Sequence, residues 1–94
     1  MKPILKENDP YHYVSENEMV KFIRENSDME HNDVCDYVRK HGITGGEGHT
    51  LWDASDFDNP REVKLYYNEH QVKWVKGFFE AHPWIKKMML VFDD

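Results

Sequence analysis

The side chains best suited to chemistry in this 94-residue chain are its six histidines and its single cysteine. His31 and Cys35 stand one helical turn apart, and His41 and His49 flank a glycine-rich stretch, so imidazole nitrogens and a thiolate could be drawn into a zinc centre. The spacing H-x3-C-x5-H-x7-H matches no ligand pattern of defined geometry, and free cysteine packs well as a small buried apolar side chain. Asp53, Asp56 and Asp58, within WDASDFDNP, would offer oxygen ligands to a hard cation, but the stretch lacks the glycine and closing glutamate of an EF-hand loop. Aspartates so placed are ordinary turn and cap residues. Joined by His49 they would form a metal-dependent enzyme only if they converged on one cleft. No Ser–His–Asp order, HExxH helix, Walker loop or dinucleotide fingerprint occurs. The expectation is a non-enzymatic protein without metal or cofactor.

Surface chemistry is more informative in the second half. Tyr66, Tyr67, Trp74, Phe78, Phe79 and Trp84 are interleaved there with lysines, a pattern that can stack single-stranded bases. A small domain needs most such rings for its core, and Val72, Val75 and Phe79 form a natural buried stripe. Trp74, Phe78 and Trp84 lie toward the edge of that arc. With Tyr66 they are the expected partner-binding residues, because aromatic side chains left at a surface anchor protein interfaces.

The net charge of -6 disfavours nucleic acid, whose phosphates call for a basic excess. Residues 1–59 hold 6 basic against 13 acidic side chains, whereas residues 60–92 hold 6 basic against 3 acidic, so the molecule is electrically two-sided. The alternative is a helix-turn-helix-like nucleic-acid-binding regulator, with Arg39 and Lys40 on phosphates. Its recognition helix would also present Asp33 and Asp36 to the groove, where they are repelled.

The elements that must position these groups follow from periodicity and caps. Residues 1–14, with Pro3 and Pro10, read as an extended arm with mobile first residues, ahead of one globular domain over 15–94. Ser15 with Glu18 opens a helix over 15–26, and Asn26-Ser27-Asp28 ends it. A second helix over 31–41 closes on Gly42, with Ile43 folding back toward Val38. Thr44–Gly48 is a glycine-rich hinge, and 49–53 a short strand. Asn59-Pro60 signals a helix start while Val63, Leu65 and Tyr67 alternate as in a strand; strand is preferred there. Asn68 and Gln71 cap a helix over 69–81, and Met88–Phe92 is an apolar strand. The fold class is α+β: two N-terminal helices, a short strand, then strand-helix-strand. An all-α bundle is the alternative. An exposed edge at Met88–Phe92 would favour a homodimer.

The stretch SENEMVKFIRENSDMEHNDVCDYVRKHGI resembles the helical N-termini of small accessory proteins of bacteriophages and prophages. That resemblance implies a protein acting on a host or phage component and carries no catalytic residue. Lone Cys35, the acidic Glu7 and Asp9, and apolar runs no longer than Met88–Phe92 point to a cytoplasmic protein that neither spans nor binds a membrane. The expected function is a protein-interaction module, an accessory protein or inhibitor that binds a host protein.

Overall fold

The computed structural model describes residues 11–44 and 49–92. Its elements, in order, are β1 (His12–Ser15), α1 (Glu16–Glu25), α2 (His31–Lys40), β2 (His49–Asp53), a 3-10 turn (Ala54–Asp58), α3 (Pro60–Tyr66), α4 (Glu69–Ala81) and β3 (Lys87–Val91). The α+β class holds, and the three-stranded sheet removes the all-helical alternative. The expectations for residues 1–10 and for the hinge beyond Thr44 fall outside the described residues.

The caps read from the sequence set most helix boundaries. The Ser15 hydroxyl accepts from Glu18 N–H at 3.1 Å and starts α1. Asn26 and Ser27 end it, the Asn26 side-chain nitrogen donating to the Phe22 carbonyl and the Ser27 hydroxyl to that of Ile23. At the end of α2, Gly42 adopts φ 60°, and Ile43 N–H donates to the Val38 carbonyl at 3.0 Å. Ile43 and Val38 are both buried, as the Schellman reading requires.

Two elements differ from expectation. The stretch after Asn59 is a helix and not a strand, because the Asn59 side-chain oxygen caps Glu62 N–H and Pro60 occupies the first helical turn, where it forfeits no bond. Val63 is buried and Tyr67 half-buried, four residues apart, while Leu65 between them faces solvent. That is helical spacing, and the apparent alternation was incidental. The second difference is β1: residues assigned to an arm are extended, but they pair in parallel with β3, His12 opposite Met88 and Ser15 opposite Val91.

The sheet order is β1-β3-β2, with β2 antiparallel to β3. Met88–Val91 is therefore flanked on both sides and is the central strand, so the condition of an exposed edge, on which the homodimer expectation rests, is not met here. One sheet face, with Val14, Trp52, Met88 and Leu90, joins the helices in a common core with Met19, Ile23, Val34, Val38, Val75 and Phe78. On the opposite face Tyr13, Met89 and Leu51 form a row across the three strands.

Candidate interaction surface

The expected partner-binding residues divide into two groups by burial. Trp74 is 7% exposed and Phe78 only 1%, so both are core residues and neither is a surface anchor. Phe22 of α1 is responsible: its ring meets Trp74 edge-on at 6.2 Å and Phe78 at 5.2 Å. On the other side of α4, Phe79 meets Phe57 of the 3-10 turn at 5.9 Å. Packed from two directions, α4 buries a wider arc than one core stripe needs. Tyr66 and Trp84, in contrast, are 75% and 71% exposed, and so is Leu65 at 74%. Leu65 was missed by sequence reasoning because strand alternation placed it inward.

Tyr66 stands beside a cleft of about 300 Å³ between the 3-10 turn and α3. Its walls include Ser55, Asp56, Asn59, Glu62, Tyr66 and Tyr67. The Glu62 and Tyr66 positions, four apart on α3, share one side of that helix, whereas Arg61 and Lys64 do not line the cleft. Asp56 is fixed by Asp53 N–H, which donates to Oδ2 at 3.1 Å, and Glu62 by the Asn59 side-chain amide, which donates to Oε2 at 3.0 Å. Neither carboxylate has a cationic partner among the described residues. The i,i+4 pair Glu62–Tyr66 was the available sequence signal, hidden by the strand assignment.

The histidines gather elsewhere. His41, at the end of α2, and His70, in the first turn of α4, stack with ring centroids 3.7 Å apart and planes at 22°. Trp74 Nε1–H donates to the Tyr37 hydroxyl oxygen at 3.0 Å, and that hydroxyl is hydrogen-bonded to His70 Nδ1. The other ring nitrogen of His70 lies 3.6 Å from a Glu69 carboxylate oxygen. Burial, then the neighbouring His70 and Lys40, push the His41 imidazole below its usual range, with Glu69 opposing. The arrangement offers a proton-sensitive contact between two helices.

The residues of the two metal readings are placed as follows. His31 Nε2 lies 3.5 Å from Cys35 Sγ on α2, away from the His41–His70 stack on that helix's other flank. The side chain of His49 falls outside the described set. Asp53 caps the 3-10 turn, accepting from Ser55 N–H at 3.1 Å, and Asp56 closes the reciprocal bond. Among the described residues no group of three or more His, Cys, Asp or Glu side chains is placed to hold a metal ion.

The alternative phosphate contacts are also located. Arg39 donates from Nε to Glu16 Oε1 at 2.9 Å, and this bond, with the carboxylate charge, raises the guanidinium pKa further. Glu16 is itself only 7% exposed, so Arg39 ties α2 to α1 and neutralises a buried carboxylate. Lys40 is exposed, as are Asp33 and Asp36 on the same helix. Among the described residues no helix is long and apolar enough to cross a membrane. Comparison of the chain with protein-family models, curated proteins and solved structures returned no match.

Proposed function

We propose that the chain is a non-enzymatic protein-interaction module, a small accessory protein or inhibitor that docks a partner protein through side chains left at the α3 surface. The observation that carries this reading is the adjacent pair Leu65 and Tyr66, each about three-quarters exposed on a seven-residue helix whose only buried side chain is Val63. Burying a large apolar side chain contributes roughly 1.5–3 kcal/mol, so this helix gives up stabilisation that a partner can recover. Trp84 adds a third large exposed ring beyond the end of α4.

Charge supports a protein over a nucleic acid as the partner. The cleft beside Tyr66 is lined by Asp56 and Glu62, and Arg39, one of the two phosphate-contact candidates, is engaged by Glu16. The resemblance of residues 15–43 to phage accessory proteins bears on setting: a cytoplasmic protein acting on a host component. The test is affinity capture by tagged protein from nuclease-treated and untreated host lysate. A saturable protein partner that survives nuclease, and is lost with Leu65→Ser/Tyr66→Ala, supports the reading. Partners that disappear with nuclease, or that ignore both substitutions, refute it.

A further inference from the structure

Beyond docking in general, the cleft beneath Tyr66 carries information on what it receives. We infer that it accepts a cationic side chain, an arginine of the partner protein, held between the Asp56 and Glu62 carboxylates and the Tyr66 ring. This rests on the reading of α3 as a docking surface and specifies its chemistry.

Three features converge. First, the two charged walls of the cleft are both carboxylates, while the basic residues of α3, Arg61 and Lys64, lie off it. Second, each carboxylate is held in place through one oxygen, Asp56 by the Asp53 backbone and Glu62 by the Asn59 amide, which leaves the other oxygen of each for an incoming donor. Preset acceptors spare the entropy that flexible surface carboxylates lose on pairing. Third, Tyr66 is 75% exposed, so its ring has a free face, and a planar guanidinium both stacks on such a face and pairs with carboxylate in fork geometry. A volume of about 300 Å³ suits a single side chain, at the lower limit of small-molecule sites. The Leu65 side chain, just outside, would meet the apolar neighbours of that arginine in the partner segment.

The test is an NMR titration of the intact chain with a capped heptapeptide of glycine and serine carrying one central arginine, beside its citrulline twin. Citrulline keeps shape and most hydrogen bonds but removes the charge. Saturable shifts at Ser55, Asp56, Glu62 and Tyr66 are expected with arginine, with affinity about tenfold lower for citrulline, about threefold lower for Glu62→Gln, and lower again at high salt. Glu62→Gln keeps an acceptor for Asn59, and an unchanged spectrum elsewhere establishes that it folds. Equal binding of the two peptides, or no saturable response, overturns the inference. If partner capture still depends on Tyr66 when the arginine peptide fails, the cation pocket is wrong and the docking surface stands. If capture is also indifferent to Leu65 and Tyr66, the docking reading fails with it.

Discussion

Asn68 and Gln71 each serve two helices at once. Their side-chain oxygens close the capping box of α4, Asn68 Oδ1 accepting from Gln71 N–H and Gln71 Oε1 from Asn68 N–H, both at 2.9 Å. Their side-chain nitrogens reach the end of α2, donating to the carbonyls of His41 at 3.0 Å and Gly42 at 2.8 Å. The start of one helix thereby satisfies the open carbonyls at the end of another. Asn68→Ala loses both functions and should cost about 2 kcal/mol, whereas Asn68→Asp keeps the cap, loses one tie and should cost about 1 kcal/mol. Urea unfolding measures both: no cost for Asn68→Asp would show that the tie to α2 contributes nothing, and equal costs for the two variants that the cap contributes nothing.

Gly42 should be replaceable only at a backbone cost. Its φ of 60° is left-handed, and an added Cβ would meet only Gln71 Nε2, at an ordinary 3.6 Å. Gly42→Ala should therefore destabilise by about 1 kcal/mol, and Gly42→Asn by less, since asparagine tolerates this region better. Thermal denaturation of the pair against wild type checks the order.

Stability should fall on acidification through the histidine range. The His41 pKa is depressed in the folded state, so the unfolded chain binds the proton more readily, and folding stability from this residue is complete above pH 6.5. It is lost as pH falls from there through the lower folded pKa. His41→Phe keeps a ring against His70 and should flatten that part of the unfolding profile between pH 7 and 5. An unchanged slope would mean that other groups set it.

Burial separates the aromatic residues into two kinds of variant. Trp74→Ala or Phe78→Ala empties the core beside Phe22 and should cost about 3–5 kcal/mol, enough to unfold a domain of this size in large part. Tyr66→Ala and Trp84→Ala should change stability by no more than about 0.5 kcal/mol. Circular dichroism melts distinguish these outcomes, and a large loss for Tyr66→Ala would place it in the core.

What the sequence disclosed is what lies within a few residues. Ser15, Gly42, Asn68 and Gln71 act over three to five positions, so the limits of α1, α2 and α4 were legible from local spacing alone. β1 was not, since a four-residue edge strand becomes a strand only through Met88 to Val91 far along the chain. At α3 two local signals competed, and the cap at Asn59 prevailed over the alternation of Val63, Leu65 and Tyr67. The exposure of Tyr66 and Trp84 followed from an excess of large rings over core space. The burial of Trp74 and Phe78 depended on Phe22, and the neutralisation of Arg39 on Glu16, both on a different helix.

The central claim, that the α3 surface docks a protein, is tested most directly by site-specific photocrosslinking. A benzophenone amino acid placed at position 66 would be compared in host lysate with the same group at exposed position 40 on α2. The account predicts one discrete protein adduct from position 66, insensitive to nuclease, and none from position 40. No adduct at 66, or the same adducts from both positions, would contradict it.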